Sequence, residues 1–187
     1  MKATIGAGDR GRTGLLSGER VAKDDPRIEA LGELDELNSF IGLLLASLSA
    51  AQSVFGQELE GIQADLFGMG AVLASSPASE GSELLDFGLP ARTRALEAAM
   101  TGLEAGLVPL REFLLPGGHP AAAMAQVARS VCRRAERRVV ALVGTGPEAE
   151  THYAEALAYL NRLSDYLFTL ARACNMREGL PDRPWKR

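Results

Sequence analysis

The sequence predicts an all-α protein, an up-and-down bundle of about five helices that forms a single domain. Apolar residues recur every three or four positions along several long segments, which is the spacing of one buried helix face. Pro and Gly interrupt the chain between these segments, and Ala, Leu and Glu, which favour helices, are plentiful. The 187 residues suffice for one substantial core, and no internal repeat indicates a solenoid.

We divide the predicted domain, residues 1–187, into three parts. Residues 1–24 are expected to form a Gly-rich loop, residues 25–178 the helical bundle, and residues 179–187 an irregular tail. This division follows the Gly content of the first part and the Pro residues of the last one.

The first helix has clear start signals. Asp25 is a favourable N-cap, Pro26 suits the first helical position, and Glu29 completes a pattern like a capping box. The apolar residues that follow keep helical spacing: Leu34, Leu37, Ile41, Leu44 and Leu48. Asp35 lies off this stripe, where an acidic residue is more often exposed than functional.

Two further helices are predicted before residue 107. The second runs from about Ser53 to Ala74 and ends at a polar break over residues 75–81. Its apolar stripe is Leu59, Ile62, Leu66, Met69 and Leu73. The third spans about Pro90 to Gly106, with Leu96, Met100 and Leu103 at helical spacing.

The last two helices are predicted to be long. The fourth covers about Pro120 to Val143, and the fifth covers about Pro147 to Met176. The fifth carries a heptad stripe made of Tyr153, Leu157, Leu160, Ser164, Leu167, Ala171 and Cys174. Asn161 and Asp165 lie one turn apart on another face of this helix.

Residues 129–138 of the fourth helix, RSVCRRAERR, concentrate cations more than any other stretch. The helical period centres the buried face on Val131, flanked by Met124, Val127, Ala135 and Leu142. Arg129, Arg133 and Glu136 then fall on the opposite side. Such a run is usually a solvated face. Here every cation is Arg, which suits bidentate capture of phosphate or carboxylate, so we interpret the run as an anion site.

Residues 6–11 match the GxGxxG dinucleotide fingerprint, but their context excludes that fold. Only Met1–Ile5 precede the motif, too few residues for a first strand, and no helix opens after it. What remains is a loop whose backbone N–H groups can bind phosphates, with Arg10, Arg12 and Lys23 nearby. A solvent-exposed N-terminus without a ligand is an equal alternative on composition alone.

The connection from Val108 to Pro120 combines an apolar patch, a tight turn and a histidine. Phe113 lies beside a Pro-Gly-Gly turn, and a phenylalanine in that position more often packs in the core than contacts a ligand. His119 is more often a helix-start residue than a metal ligand, because no second His or Cys stands at ligand spacing. We predict no metal site built by the protein.

The net charge of −4 argues against a nucleic-acid-binding protein. A local Arg cluster on an acidic background favours a small anionic ligand instead. Cys132 and Cys174 stand at helical positions without a partner motif, as small core residues do. No apolar run approaches membrane-spanning length and no signal-peptide pattern is present, so we expect a cytoplasmic protein with no membrane partner.

Three blocks of the sequence resemble the PduO-type ATP:cob(I)alamin adenosyltransferases, in the order of that family and over nearly the whole chain. The first joins GDRGRT at residues 8–13 and GERVAKDD at 18–25 to GELDELNS at 32–39. The second joins FLLPGG at 113–118 to RSVCRRAERR at 129–138, and the third is YLNRLSDYLF at 159–168. Each block alone is suggestive, and together they are specific.

The resemblance implies a ferritin-like bundle that makes adenosylcobalamin. In that reaction the cobalt of cob(I)alamin attacks the 5′ carbon of ATP, and triphosphate leaves. The resemblance also implies a homotrimer with nucleotide sites between subunits, and a divalent cation, Mg²⁺, on the phosphates. A cobalamin reductase or a mutase that accepts the product would be its protein partners.

The resemblance also implies roles for individual residues. Contacts to ATP are expected from Gly8, Asp9, Arg10, Gly11, Thr13, Lys23, Arg133, Arg134, Glu136, Arg137 and Asn161. Catalytic roles are expected for Arg129, Arg133, Asp35 and Asp165. Arg129 and Asp35 would tie neighbouring subunits together, and Asp165 would organise the surroundings of the Arg helix. Phe113 would close the lower face of the corrin ring.

One departure from the family pattern concerns the edge of the loop. Family members place Thr, a basic residue and Thr or Asn before the Gly-Asp pair, whereas Ile5, Gly6 and Ala7 stand here. A phosphate contact is therefore missing, for which Arg10 or Arg12 can substitute.

Two other functions compete with the enzyme. A non-catalytic regulator, a helical bundle that binds ATP or another polyphosphate, would need the same arginines but not Phe113, so cobalamin binding discriminates between the two. A purely structural oligomerisation domain would leave the Gly-rich loop and the Arg cluster without use.

Overall fold

The computed structural model describes residues 6, 8–75, 87–144 and 146–186, and it confirms the all-α bundle. Five α-helices are described: α1 (Pro26–Ala46), α2 (Gly56–Leu73), α3 (Leu89–Glu104), α4 (Pro120–Val143) and α5 (Pro147–Arg177). A 3₁₀ helix, Ala50–Phe55, precedes α2. Two short strands, β1 (Arg12–Gly14) and β2 (Arg20–Ala22), precede α1.

The predicted start of α1 is confirmed. The Asp25 carboxylate accepts a hydrogen bond from Arg27 N at 2.9 Å, and Pro26 occupies the first turn. The Arg27 side chain also binds this carboxylate and that of Glu19, so it joins the loop to the helix. The hydrogen bond from the Arg27 side chain lowers the pKa of Asp25 below its ordinary value, which keeps the cap ionised.

The bundle is organised around α5 and α4. Helix α4 packs against both α5 and α1, while α3 packs on α5 and α2 packs on α1. The predicted apolar stripes form the core, except that Leu48, Met100, Leu103 and Leu157 are only partly buried. Two buried α5 phenols donate to carboxylates of α2: Tyr159 to Asp65 at 2.9 Å and Tyr166 to Glu58 at 2.8 Å.

One helix boundary and one buried face differ from the sequence-based predictions. The α-helical part of the second segment begins at Gly56 rather than near Ser53, because the 3₁₀ turn comes first. The buried face of α4 centres on Ala128, Cys132, Ala135 and Val139, and Val127 is exposed. This face is rotated because α4 is covered by α5 as well as by α1. Residues 76–81 of the predicted polar break lie outside the described residues.

The two cysteines are buried core residues, as predicted. Burial raises the pKa of the Cys174 thiol to about 12, and burial likewise raises the pKa of the Cys132 thiol. The Cys132 thiol donates to Leu160 O on α5 at 3.2 Å. Both thiols are therefore protonated near neutral pH and poorly reactive.

The N-terminal segment contains an antiparallel hairpin that the sequence-based prediction of a loop missed. Thr13 pairs with Val21, and the side chains of Leu15 and Val21 are buried. Three-residue strands with two buried apolar side chains leave too little pattern to recognise in the sequence. Residues 1–5 and 7, which include Ile5 and Ala7 of the departure from the family pattern, lie outside the described residues.

His119 is the N-cap of α4, as the sequence predicted for a helix-start residue. Its Nδ1 accepts from Ala121 N at 3.2 Å and lies 3.1 Å from Nε2 of the buried Gln52. Nδ1 is therefore the ring atom that caps the helix. Gly118, just before this cap, has φ +98° and packs against the Asn175 amide.

Gly118→Ala is expected to destabilise the protein by about 1–3 kcal/mol, because its backbone is left-handed and a methyl group would overlap the Asn175 side chain. A melting temperature lower by roughly 3–10 °C should follow for a chain of this size. Gly102→Ala in α3 is the matched control, since a methyl group there meets nothing within 4 Å. An unchanged melting temperature for Gly118→Ala would show that the turn adapts.

Candidate functional site

Two arginines of the α4 run, Arg134 and Arg138, face α1 and are paired with its acids. Arg134 Nε lies 2.6 Å from Glu33 Oε2, and its Nη2 binds the Glu36 carboxylate. Arg138 Nη2 lies 3.5 Å from Glu29 Oε2. These ion pairs join α4 to α1, so the charge of both guanidinium groups is already compensated.

Three other arginines of the run, Arg129, Arg133 and Arg137, have no carboxylate partner among the residues that the structure describes. Arg129 Nε donates to Gln126 Oε1 at 2.8 Å, and Arg137 Nη1 donates to the Arg133 carbonyl at 2.9 Å. Arg133 is exposed, and its guanidinium makes no hydrogen bond or ion pair within the described ranges. Three uncompensated guanidinium groups on adjacent turns of one helix form a surface suited to an anion.

The α5 side of this surface contributes Asn161, which donates from Nδ2 to Glu136 Oε1 at 3.1 Å. Asp165, one turn further along, binds Arg162 at 3.0 Å, and Arg162 also binds Glu97 of α3 at 3.0 Å. The structure thus brings Asn161 to the Arg helix, whereas Asp165 is held by a neighbour on its own helix. Both residues are exposed.

The predicted phosphate loop folds back on Lys23. Gly11 O accepts from Lys23 N at 2.9 Å, and Gly11 N donates to Gly8 O at 3.2 Å. The Lys23 ammonium packs so closely on Gly8 that a Cβ there would lie 3.1 Å from Nζ. Gly8, Gly11 and Lys23 therefore lie together at the start of the hairpin, where a side chain at position 8 would displace the cation.

The other predicted loop residues lie around this group. Asp9 and Arg10 are exposed, and Thr13 is half-buried in β1. The Arg12 guanidinium donates across the hairpin to Arg20 O at 2.6 Å. Arg12 is therefore partly engaged by the hairpin, and Arg10 is the more available substitute for the missing loop contact.

Asp35 of α1 is exposed, and its carboxylate has no partner within the part of the chain described here. Only its backbone is engaged, as Asp35 O accepts from Ser39 Oγ at 3.0 Å. Asp35 and Arg129 are not paired with each other inside one chain. Both predicted members of the ion pair between subunits are thus available to a neighbouring molecule.

An open groove of about 590 Å³ runs between α1 and α4. Phe40 and Val131 supply apolar surface to the groove, Arg137 supplies a cation without a carboxylate partner in the described chain, and Pro116 and Gly117 also line it. The groove therefore places an apolar surface next to the arginines of α4, which suits a ligand that has both an apolar part and an anionic part.

Phe113 lies in the α3–α4 connection with 81 % of its surface exposed. It does not fill the core of its own chain, so the alternative of a packing residue inside the bundle is wrong. Val108 and Leu110 of the same connection are also exposed, so Phe113 belongs to an apolar surface segment and is not an isolated exposed side chain.

Two polar residues of α5 that the sequence analysis did not single out are buried at the end nearest Phe113. Arg172 is 8 % exposed and Asn175 is 9 % exposed, and both bind the connection that carries Phe113. The only signal in the sequence was a charged residue inside the apolar run from Leu167 to Cys174.

Neither a metal cluster nor a membrane helix is found in the ranges that the structure covers. No group of three or more His, Cys, Asp or Glu side chains there is placed to hold a metal ion. None of the described helices is long and apolar enough to cross a bilayer.

Comparison with known proteins was made on sequence and on structure. The chain matches the family model described as "Cobalamin adenosyltransferase" over residues 3–174. The corrinoid adenosyltransferase of Bacillus subtilis (strain 168) is 42 % identical over 190 residues, with 100 % of this chain and 93 % of that protein covered. The cobalamin adenosyltransferase of Cupriavidus metallidurans is 44 % identical over 186 residues, with 100 % and 95 % covered.

Among solved structures, the chain is similar to a variant of the PduO-type ATP:corrinoid adenosyltransferase from Lactobacillus reuteri that is complexed with cobalamin and ATP. The TM-score is 0.92 at 34 % sequence identity, and 100 % of each chain is covered. The two chains therefore share the same overall fold.

Proposed function

The chain belongs to the cobalamin adenosyltransferase family, and on that premise we propose that it transfers the 5′-deoxyadenosyl group of ATP to cob(I)alamin. The Co(I) electron pair forms the cobalt–carbon bond, the bond from C5′ to the triphosphate oxygen breaks, and triphosphate leaves with that electron pair. The products are adenosylcobalamin and triphosphate. The main support is the family match over residues 3–174.

The chemistry of this reaction makes few demands on the protein for acids or bases. Cob(I)alamin is itself the nucleophile, so no protein nucleophile or general base is needed. What the protein supplies is the positioning of two reactants and the stabilisation of negative charge on the leaving triphosphate. Fixed cations are the side chains that such a site requires.

The ATP site is proposed to combine the α4 arginines with the N-terminal loop. Arg133 and Arg137 would bind phosphate oxygens, because neither is paired with a carboxylate inside the described chain. Asn161 and Glu136, which are hydrogen-bonded to each other, would orient the nucleoside end. Arg134 would act by holding α4 in place, given its two ion pairs.

The loop around Lys23 is proposed to hold the triphosphate. Gly8 and Gly11 permit close approach of the backbone, and the Lys23 ammonium lies directly against them. Asp9, Arg10 and Thr13 complete the proposed contacts. A Mg²⁺ ion is expected to bind the phosphates of the substrate, where it would offset part of their charge.

Phe113 is proposed to cover the lower face of the corrin ring. Its exposed ring is free to meet a large apolar ligand. Excluding water and the cofactor's own base from that face would leave cobalt without a lower axial ligand, and removing axial donors makes cobalt easier to reduce. A reductase that delivers the Co(I) state is the expected partner.

The assembly is proposed to be a homotrimer with the sites between subunits. Asp35 and Arg129 would form the ion pair between neighbouring subunits, and their lack of a mutual contact within one chain supports this. Asp165 would then act from α5 on the surroundings of the Arg helix. Desolvating Arg129 at an interface would cost less when Asp35 accompanies it.

The direct test is to mix the purified protein with ATP and chemically reduced cobalamin and to follow the corrin absorption spectrum. Conversion to the adenosylcobalamin spectrum with release of one triphosphate per product supports the proposal. ATP binding without any spectral change would instead identify a non-catalytic regulator.

ATP is expected to protect the N-terminal segment from trypsin. Cleavage after Arg10, Arg12 and Lys23 should slow when triphosphate covers these cations, because the described part of this segment is mostly exposed without it. AMP, which lacks the triphosphate, is the matched control ligand. Equal cleavage rates with ATP and with AMP would remove the loop from the proposed phosphate site.

A further inference from the structure

The connection over residues 108–119, between α3 and α4, holds Phe113 in solvent although little of the connection is buried. Val108 is 77 % exposed and Phe113 is 81 % exposed. Burial of apolar side chains therefore does not fix the backbone conformation of the connection. Its fixed points are hydrogen bonds, and they come from the last turns of α5 and from the C-terminal tail.

The first fixed point is at the start of the connection. The buried guanidinium of Arg172 donates from Nη2 to Val108 O at 2.5 Å. The same group binds the Asp182 carboxylate, with Nε at 2.9 Å and Nη2 at 2.8 Å from Oδ2. One side chain of α5 thus joins the start of the connection to the tail.

The second fixed point is at the end of the connection. Asn175 lies three positions after Arg172, almost one helical turn along α5. Its Nδ2 donates to Gly117 O at 3.0 Å, and its Oδ1 accepts from His119 N at 2.9 Å. Its own carbonyl accepts from Leu180 N at 2.9 Å, so Asn175 also fixes where the tail begins.

The third fixed point is at Phe113 itself. Phe113 O accepts from Trp185 N at 2.7 Å, and Leu115 N donates to Arg183 O at 2.8 Å. These two bonds flank Leu114, which pairs with Pro184 as an isolated antiparallel bridge. The backbone that directly follows the Phe113 side chain is therefore held by the tail, and the tail is in turn held by Arg172 and Asn175.

We infer that Arg172 and Asn175, with Asp182, are positioning residues that set the orientation of Phe113 toward the corrin. A helical bundle of this kind has no need of a buried guanidinium and a buried amide at the end of α5, where apolar residues would pack at lower desolvation cost. The side-chain hydrogen bonds of Arg172 and Asn175 go to the connection and the tail. The inference rests on the proposed function, in which Phe113 covers the lower face of cobalamin.

The test compares Asp182→Asn and Asn175→Ala with the parent protein. Both variants should lower the four-coordinate cob(II)alamin signal in electron paramagnetic resonance and raise the KM for cobalamin. A rise of about tenfold is expected, the change that corresponds to losing roughly one hydrogen bond to a charged or buried group. The KM for ATP should stay within about twofold, because no proposed phosphate contact is touched.

Two further variants separate positioning from general stability. Asp182→Glu keeps the carboxylate and should restore most of the four-coordinate signal. Arg92→Gln breaks an ion pair with Asp65 elsewhere in the bundle, where Arg92 Nε lies 3.4 Å from Asp65 Oδ1, and should change neither KM. Thermal melting of each variant identifies any loss of folded protein. If Asn175→Ala does not fold, the test relies on Asp182→Asn, because Asp182 is partly exposed and its replacement should disturb folding less.

The outcomes separate this inference from the proposed function. If the parent protein forms no adenosylcobalamin, the proposed function fails. If the parent is active and Asp182→Asn keeps the parent's four-coordinate signal and its KM for cobalamin, the positioning role is wrong. A lower melting temperature with an unchanged four-coordinate signal in the folded fraction would also show that the positioning role is wrong. Arg172 and Asp182 would then only stabilise the fold.

Discussion

Arg133→Ala is expected to lower turnover about 100- to 1,000-fold, which corresponds to a loss of about 2–4 kcal/mol of transition-state stabilisation. The exposed Arg133 guanidinium has no partner in the described chain, so its full hydrogen-bonding capacity is available to a developing triphosphate charge. Its removal therefore breaks no side-chain hydrogen bond or ion pair among the described residues. Circular dichroism and melting temperature should therefore stay near those of the parent.

Two variants on the same helix serve as controls for Arg133→Ala. Arg138→Ala also removes an exposed cation, but the charge of Arg138 is paired with Glu29 and Glu33. This variant should therefore keep most of the turnover of the parent protein. Arg133→Lys keeps the charge without the planar fork and should be intermediate. If Arg138→Ala lost as much activity as Arg133→Ala, the effect would reflect the net charge of α4 rather than a specific contact.

Phe113→Ala is expected to abolish most of the four-coordinate cob(II)alamin signal while leaving ATP affinity almost unchanged. Removing the ring opens the lower corrin face to water, which can then bind cobalt as a fifth ligand. Because 81 % of the Phe113 surface is exposed in the chain, truncation removes little packing and should lower the melting temperature only slightly. A buried phenylalanine would instead cost about 3–5 kcal/mol when truncated.

Leu110→Ala is the matched control for Phe113→Ala, since Leu110 lies in the same connection with 50 % of its surface exposed. It should leave both the spectrum and the melting temperature close to those of the parent. An unchanged four-coordinate signal in Phe113→Ala, together with a large drop in melting temperature, would show that the ring stabilises an interface and does not cover cobalt.

The arginines of α4 show how one helix can serve both stability and binding. Arg134 and Arg138 are held by three α1 acids, whereas Arg129, Arg133 and Arg137 lack carboxylates among the described residues. Uncompensated like charges on successive turns repel each other by a few tenths of a kcal/mol per pair. Triphosphate would relieve that repulsion, so ATP should raise the melting temperature, and the rise should grow with the logarithm of the ATP concentration above its Kd.

The sequence by itself determined the five helices and the starts of α1 and α4. Asp25 and Pro26 fixed the start of α1, and His119 and Pro120 fixed that of α4, because capping depends on a few neighbouring residues. The apolar stripes of α1, α2 and α5 likewise follow from local spacing. The motifs were sufficient to identify the family, since the Gly-rich loop, the Arg run and the Phe-containing connection occur together and in order.

Only the tertiary structure decided which of the predicted site residues form ion pairs or are buried within the chain and which are exposed to a ligand. Whether an arginine of α4 is paired depends on the acids of α1, about a hundred positions earlier in the chain, as for Arg134 and Glu33. The rotation of the α4 buried face and the exposure of Phe113 depend on how neighbouring helices and the tail pack. Arg172 and Asn175 could not be recognised because their partners are backbone atoms of distant segments, and backbone atoms carry no signal in the sequence.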